Sequence, residues 1–172
     1  MAAFAAPHGI AANRFTGTSS NDTINANAGV DVVYGLIGDD DIDGGAGNDT
    51  IYGGTDDDEI TGGAGDDTLY GGSLVTAAGA CTVTDTGIDE VDGGDDNDTV
   101  FGGNNNSVTG AVCADTGADT VTGGAGTDTV YGGNNNAQGA TGNDAGDTLV
   151  DGGAGSVERP HESTRPTAEV GG

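Results

Sequence analysis

One aliphatic side chain recurs every nine residues through the middle of the chain, and a polar residue stands on at least one side of it. The clearest run is 44–70, which reads GGAGNDTIY, GGTDDDEIT and GGAGDDTLY. The first six residues of each phrase are turn formers, whose glycines allow positive φ and close approach between backbones. The last three predict a short strand whose central side chain points inward while its neighbours point outward. The pattern therefore predicts a series of short strands joined by tight turns.

A single register accommodates eleven such phrases, three of which carry internal insertions. They start at Gly17, Ala26, Gly35, Gly44, Gly53, Gly62, Gly71, Gly93, Gly102, Gly123 and Gly132, and the insertions interrupt the phrases at Gly71, Gly102 and Gly132. The sixth place is always Asp: Asp22, Asp31, Asp40, Asp49, Asp58, Asp67, Asp89, Asp98, Asp119, Asp128 and Asp147. The eighth is always aliphatic: Ile24, Val33, Ile42, Ile51, Ile60, Leu69, Val91, Val100, Val121, Val130 and Leu149. This regularity indicates repeat units that stack on one another.

The ninth place alternates between aromatic and small polar residues. The aromatic residues are Tyr34, Tyr52, Tyr70, Phe101 and Tyr131, and the residues between them are Asn25, Asp43, Thr61, Asp92 and Thr122. This alternation predicts that two phrases form one coil, so that stacked coils place five rings in a column on one sheet. The column either stiffens a thin structure by ring packing or forms an interface that binds a partner.

Composition limits how such a chain can fold. Its 172 residues include 29 acidic and only 3 basic side chains, for a net charge of −26, and 36 glycines but no Trp. A single domain of this kind has too little apolar surface to fold on that basis alone, and repulsion among carboxylates opposes compaction. Polyvalent cations would supply the missing free energy, and the oxygen ligands of Asp and backbone carbonyls suit Ca²⁺.

The same composition excludes several partners and activities. Binding of nucleic acid or of anionic lipid requires a basic surface, which this chain lacks. No apolar stretch is long enough to insert in a membrane. The two histidines, His8 and His161, lie in opposite tails, and no nucleophile and base can be paired, so we expect no enzymatic activity.

The phrase resembles the glycine-rich nonapeptide G-G-x-G-x-D-x-U-x of RTX proteins, also called haemolysin-type calcium-binding repeats, over residues 17–155. The resemblance implies an all-β fold, a right-handed parallel β-roll or β-solenoid with two nonapeptides per coil. It also implies that several Ca²⁺ ions lie between successive turns of one edge. Each ion would take the sixth-place Asp and turn carbonyls from neighbouring coils.

The resemblance assigns candidate ligands to both edges of the roll. On the edge with short turns they are Asp31, Asp49, Asp67, Asp98 and Asp128, with the glycines Gly44, Gly45, Gly47, Gly62, Gly63, Gly65, Gly123, Gly124 and Gly126. On the other edge they are Asp22, Asp40 and Asp58, followed by Asp89, Asp119 and Asp147, whose turns contain insertions. We place Asp57 and Asp96 where other phrases have their third glycine. An extra carboxylate there either strengthens ion binding or adds a solvated charge.

The three insertions cover approximately residues 73–88, 104–118 and 134–146. They fall on every second phrase, so we expect them to leave one edge of the roll in successive coils and to stack as loops. Each returns through an acidic junction that contains Asp85, Asp115 or Asp144. These three residues are either additional metal ligands or simple turn-forming aspartates.

These features predict an N-terminal arm or cap at 1–16, a β-roll at 17–155 and a C-terminal tail at 156–172. Because Ca²⁺ is abundant outside cells, we expect an extracellular protein or one on a cell or virion surface. The leading hypothesis is a calcium-rigidified subunit of a surface, filament or virion assembly, which associates with itself or with other subunits. The competing hypothesis is a calcium-triggered folding, secretion or adhesion module of an exported protein.

Cys81 and Cys113 lie in the first and second insertions, one coil apart. Stacked strands are about 4.8 Å apart, and disulfides join Cα atoms about 4.4–6.8 Å apart, so a bridge between the two loops is feasible. The alternative is a pair of buried free thiols. We predict that the denatured, non-reduced chain takes up no alkylating agent by mass spectrometry and that the reduced chain takes up two equivalents. Two alkylated thiols without reductant would rule out the bridge.

Overall fold

The computed structural model describes residues 3–5, 11–76, 79–80, 84–106, 111–112, 116–136, 148–150 and 156–158. Their regular structure is entirely β-strand, and no helix that could cross a membrane occurs among them. In chain order the strands are β1 Ala3–Ala5, β2 Arg14–Thr16, β3 Thr23–Asn25, β4 Val32–Ile37, β5 Asp41–Ala46, β6 Thr50–Thr55, β7 Glu59–Ala64, β8 Thr68–Gly72, β9 Leu74–Val75, β10 Gly79–Ala80, β11 Glu90–Asp95, β12 Thr99–Phe101, β13 Asn105–Asn106, β14 Ala111–Val112, β15 Thr120–Thr122, β16 Thr129–Tyr131, β17 Asn135–Asn136, β18 Thr148–Val150 and β19 Ser156–Glu158.

Two seven-stranded parallel sheets form the roll. The polar sheet has the order β1-β3-β5-β7-β11-β15-β18, and the aromatic sheet has the order β2-β4-β6-β8-β12-β16-β19. Successive phrases alternate between the sheets, so Ile42 pairs with Ile60 in one sheet while Ile51 pairs with Leu69 in the other. The predicted parallel β-roll with two nonapeptides per coil is therefore confirmed.

The core between the sheets is one aliphatic side chain deep. The eighth-place residues whose side chains the structure describes are all buried: Ile24, Val33, Ile42, Ile51, Ile60, Leu69, Val91, Val100, Val121 and Val130. Leu149 lies in β18 in register with Val121, as the repeat predicts. Because strand side chains alternate between faces, each three-residue strand contributes one residue to this core.

The five ninth-place rings form one continuous column on the aromatic sheet. Ring centroids are 5.1, 4.9, 4.9 and 4.6 Å apart from Tyr34 to Tyr131, and the planes of adjacent rings lie within 12° of parallel. The Arg14 guanidinium lies 4.6 Å from the Tyr34 ring centroid, a cation–π contact at the end of the column. The predicted column is confirmed.

The insertions fold over this column. Strands β9, β13 and β17 make a third parallel sheet, the insertion sheet, with Leu74 paired to Asn105 and Asn105 to Asn135. Leu74 packs against the rings, and the Asn105 amide lies 3.5 Å from the Tyr52 hydroxyl. Tyr52, Tyr70 and Phe101 are buried, whereas Tyr34 and Tyr131 are half-buried. Packing within the chain thus accounts for the burial of the three middle rings. A partner interface at the column stays a prediction.

Stacking of the insertions is confirmed for their described strands, which include the pair β10 and β14. Cys81, Cys113, Asp115 and Asp144 lie outside the described residues, so the bridge stays a prediction. At the two ends, strands of the roll reach into the segments assigned to the arm and the tail. Phe4 pairs with Ile24, Phe15 with Val33, and Val157 with Val130.

A core only one residue deep makes each eighth-place side chain costly to lose. We predict that Leu69→Ala, at a fully buried position, lowers the free energy of unfolding in saturating Ca²⁺ by about 2–5 kcal/mol. The matched control is Ile37→Ala, since Ile37 is 52% exposed and should cost at most about 0.5 kcal/mol. Urea titration compares the two, and equal losses would contradict a core confined to the eighth place.

Candidate metal sites

The sixth-place aspartates form two buried ladders, one on each edge of the roll. The ladder on the short-turn edge contains Asp31, Asp49, Asp67, Asp98 and Asp128, and the ladder on the insertion edge contains Asp22, Asp40, Asp58, Asp89 and Asp119. Every one of these residues is at most 3% exposed. The structure therefore brings the predicted aspartates together in successive coils, and Asp147 lies outside the described residues.

In eight of these aspartates, one carboxylate oxygen accepts the backbone N–H of the ladder aspartate in the neighbouring coil. The backbone N–H of Asp31 donates to Asp49 Oδ1 at 2.7 Å, and that of Asp49 donates to Asp67 Oδ1 at 2.7 Å. The same bond recurs along both ladders at 2.7–3.0 Å. These bonds hold adjacent coils in register and orient the carboxylates.

In eight aspartates of the two ladders, the second carboxylate oxygen has no such partner. Oδ2 is buried and accepts no hydrogen bond in Asp31, Asp40, Asp49, Asp58, Asp67, Asp89, Asp98 and Asp128. A buried polar atom left unsatisfied costs about 1–3 kcal/mol, and more if it is charged. Each ladder therefore carries a column of oxygens that require a cation or a proton.

The first-place glycines border these oxygens. A Cβ on Gly44 would lie 2.6 Å from the Gly62 carbonyl oxygen and 2.8 Å from Asp49 Oδ2. A Cβ on Gly62 would likewise meet the Gly93 carbonyl and Asp67 Oδ2. A carbonyl of one coil and a carboxylate of its neighbour thus converge beside a residue that must be glycine. All of these donors are hard oxygens, so the residues present fit Ca²⁺.

The insertions lie inside their phrases, as the register predicts. Gly71 stands against Asp89 Oδ2, and Gly102 stands against Asp119 Oδ2, although an insertion separates each pair in sequence. The loops therefore leave the roll and return without changing the geometry of the ladder.

The second- and fourth-place residues shape the turns. Positive φ occurs at the predicted glycines Gly45, Gly47, Gly63, Gly65, Gly124 and Gly126, a conformation that only glycine adopts freely. Second-place carbonyls accept hydrogen bonds between coils, for example at Asn27 from the Ala46 N–H at 2.8 Å and at Gly94 from the Ala125 N–H at 2.7 Å. The first-place carbonyls of Gly62 and Gly93 instead lie beside the unpartnered carboxylate oxygens of Asp49 and Asp67.

The prediction that Asp57 stands at the third-glycine position is wrong by one residue. The phrase at Gly53 has Asp56 at the third-glycine position, with φ of 79°, and Asp96 holds the same place with φ of 78°. Asp57 is the next residue, and its Oδ1 accepts the Ile88 N–H at 2.9 Å. Asp56 and Asp96 are exposed, and Asp tolerates this conformation better than most side chains. Their exposure favours a solvated charge.

Burial makes the ladder carboxylates hard to ionise without a cation. It raises the pKa of Asp40, Asp49 and Asp98 to about 6 and the pKa of Asp67 to about 7. On the insertion edge, burial and then repulsion from Asp40 raise the pKa of Asp58 to about 9. Burial and then repulsion from Asp85 raise the pKa of Asp89 to about 10.

The ladders do not form a compact cluster of acidic side chains. Within the described ranges, no three Asp, Glu, His or Cys side chains converge as a metal-binding group. A bound ion would therefore combine one or two carboxylates with backbone carbonyl oxygens.

A neutral ladder in the insertion sheet was not predicted. The Ser73 N–H donates to Asn104 Oδ1 at 2.9 Å, and the Asn104 N–H donates to Asn134 Oδ1 at 2.7 Å. The geometry repeats that of the Asp ladders with an amide in place of a carboxylate. The sequence GGNNN, present at 102–106 and again at 132–136, is the signal that could have revealed it.

Comparison with known families agrees with this geometry. A family model described as the RTX calcium-binding nonapeptide repeat (4 copies) matches residues 9–42, 16–51, 43–73, 83–108 and 114–138, well over half of the chain. No curated protein and no solved structure shows a significant match.

The raised pKa values predict an unusual pH dependence of the metal-free chain. A carboxyl group whose pKa is higher in the folded state stabilises that state below its unfolded pKa, about 4. The contribution is lost as the pH rises through the folded values of about 6 to 10. We therefore expect circular dichroism in excess chelator to show more β structure at pH 5 than at pH 8. A metal-free chain that is better folded at pH 8 would contradict this, and sedimentation at each pH controls for precipitation.

Proposed function

The chain belongs to the RTX calcium-binding nonapeptide repeat family, and on that premise we propose that it is a non-enzymatic structural protein whose folding and rigidity depend on Ca²⁺. Repeats of this family bind several Ca²⁺ ions per domain. One observation carries the proposal: eight ladder aspartates bury an Oδ2 atom that has no hydrogen-bond partner. Three basic residues in the whole chain cannot neutralise 29 acidic ones.

Carboxylates and backbone carbonyls contribute different parts of each candidate site. Ladder carboxylates such as Asp49 align the coils through Oδ1 and present Oδ2 to the space beside the first-place glycine. Carbonyls such as that of Gly62 supply further oxygens from the next coil. Bound Ca²⁺ supplies the positive charge that allows these groups to stay ionised at neutral pH. Folding and ion binding are coupled because neighbouring coils must stack before their oxygens converge.

The free energy of Ca²⁺ binding at a few sites is comparable to the stability of a typical protein. A site at a free Ca²⁺ concentration one hundred times its dissociation constant stabilises the fold by about 2.7 kcal/mol. Two to five such sites would supply the whole of a typical protein stability of about 5–15 kcal/mol. The thin core therefore needs only a few occupied sites to fold.

For the biological role we propose a subunit of a surface, filament or virion assembly. The stacked rings and parallel strands favour a stiff rod, and strands at the two ends of the described sheets offer edges for further pairing. RTX repeat proteins are typically exported, which agrees with an extracellular or surface location where Ca²⁺ is abundant. Partners would then be further copies of the chain or other subunits.

The alternative is a calcium-triggered folding, secretion or adhesion module of an exported protein. The same ladders favour it, because a chain that folds only when its carboxylates are neutralised stays unfolded at low Ca²⁺. For adhesion, the relevant feature is a groove of about 550 Å³ beside the first insertion, lined by Leu36, Ile37, Thr55, Thr84 and Thr86 among others.

A calcium titration separates these functions. We predict that chelator-treated protein gains β structure cooperatively in far-ultraviolet circular dichroism as Ca²⁺ is added, and that light scattering then reports large particles. Folding to a stable monomer would favour the module over the assembly. A chain that is already folded in excess chelator at neutral pH would refute the calcium dependence. Mg²⁺ is the control, since its demand for small octahedral sites fits backbone carbonyls poorly.

A further inference from the structure

The first insertion returns to the roll at residues 84–89, through a turn that resembles the turns of the uninterrupted phrases. Asp89 takes the sixth place, since its Oδ1 accepts the Asp58 N–H at 3.0 Å and its Oδ2 borders Gly71. Gly87 takes the fourth place, where a Cβ would collide with the Asp56 carbonyl. Counting back from Asp89, Asp85 stands where an uninterrupted phrase has its second-place residue, although Gly72 already follows the first-place Gly71 before the insertion. On the short-turn edge that place is glycine at Gly45, Gly63, Gly94 and Gly124.

Asp85 is fixed in this turn by its backbone and by one carboxylate oxygen. Its carbonyl accepts the Thr116 N–H from the next coil at 3.0 Å, and its Oδ1 accepts the Gly87 N–H at 3.0 Å. The residue is 0% exposed, and its Oδ2 is buried without a hydrogen-bond partner. A turn-forming Asp needs only the first oxygen, so the turn does not explain the burial of the second.

In the described part of the chain, the charged side chains that act on Asp85 are acidic. Asp56 and Asp57 face it, and burial together with these two charges raises the pKa of Asp85 to about 6. Its own charge is the strongest repulsion acting on Asp89, and it also acts on Asp58. Asp58 and Asp89 each bury an unpartnered Oδ2 as well. The one arginine among the described residues, Arg14, lies elsewhere, over Tyr34.

We propose that Asp85 is an additional cation ligand, which with Asp89 and backbone carbonyls of the turn forms a divalent-cation site that the short-turn edge lacks. The inference rests on the proposed calcium dependence of the fold. It goes beyond the nonapeptide pattern, which has no carboxylate at the second place. A second-place carboxylate adds negative charge to the site, and ligand charge raises Ca²⁺ affinity. The turn that closes the first insertion therefore binds an ion more tightly than the regular turns do.

Three variants of the full chain test this proposal. Asp85→Asn keeps an oxygen for the Gly87 N–H but removes the charge. Asp57→Asn is the matched control, because Asp57 is exposed in the adjacent turn and also accepts one backbone N–H. Asp49→Asn removes one carboxylate from the regular ladder on the opposite edge. Calorimetric titration with Ca²⁺ counts the ions bound, and circular dichroism in excess chelator measures the folded fraction.

Asp85→Asn should bind one Ca²⁺ fewer than the wild type, with the loss among the tightest sites, while Asp57→Asn keeps the full number. In chelator, Asp85→Asn should be more folded than the wild type, because an uncompensated buried charge is gone. An unchanged ion count would overturn the proposal and leave Asp85 a turn-forming residue. Failure of Asp85→Asn to fold at any Ca²⁺ concentration would also overturn it, since both ladders remain intact.

The outcomes separate this inference from the proposed function. If Asp49→Asn weakens Ca²⁺ binding and Asp85→Asn does not, only the assignment of Asp85 fails. If the wild-type chain neither binds Ca²⁺ nor folds with it, the proposed function fails and the Asp85 site fails with it.

Discussion

Burial of the sixth-place carboxylates is the constraint on which the rest of the structure depends. Oδ1 of Asp49 accepts the Asp31 N–H, so the side chain that aligns two coils also places a charge between them. The alignment of the coils and the burial of a charge cannot be separated, because both oxygens belong to the same carboxylate. Neutralising the second oxygen removes a repulsion that opposes stacking, and one aliphatic residue per phrase provides little apolar burial to offset that repulsion. This ties the register of the coils and the proposed dependence on cations to the same residue.

The insertion sheet shows the same hydrogen-bond ladder without the charge. Asn104 Oδ1 accepts the Ser73 N–H as Asp49 Oδ1 accepts the Asp31 N–H, but its amide needs no counter-ion. The chain thus contains charged ladders on the edges of the roll and a neutral ladder at the start of the insertion sheet. In the insertion sheet, Leu74 packs against the ring cluster, and Tyr52, Tyr70 and Phe101 are buried, so the insertions add apolar burial beside the aromatic column.

The sequence predicted those features that follow from the repeat period. The inward place of Ile51, the column that contains Tyr52 and the ladder that contains Asp49 each depend only on the nine-residue register and the two-residue period of a strand. Strands β1 and β2 escaped prediction because their segment has no glycine pairs to mark turns, although Phe4 and Phe15 hold eighth-place positions. The unpartnered state of Oδ2 could not be predicted either, since it depends on side-chain orientation. The sequence left open whether Asp85 is a metal ligand or a turn-forming residue. Its position in the turn becomes definite only from the contact between Gly87 and the Asp56 carbonyl.

The aromatic column gives the chain an optical property of its own. All four tyrosines lie in the stack and the protein has no tryptophan, so nearly all of its absorption near 280 nm comes from one row of parallel rings. Neighbouring centroids are only 4.6–5.1 Å apart, close enough for excitation to pass from ring to ring. Because each ring is contributed by a different coil, tyrosine emission and near-ultraviolet dichroism report the stacking of coils and are insensitive to the amount of strand within each one.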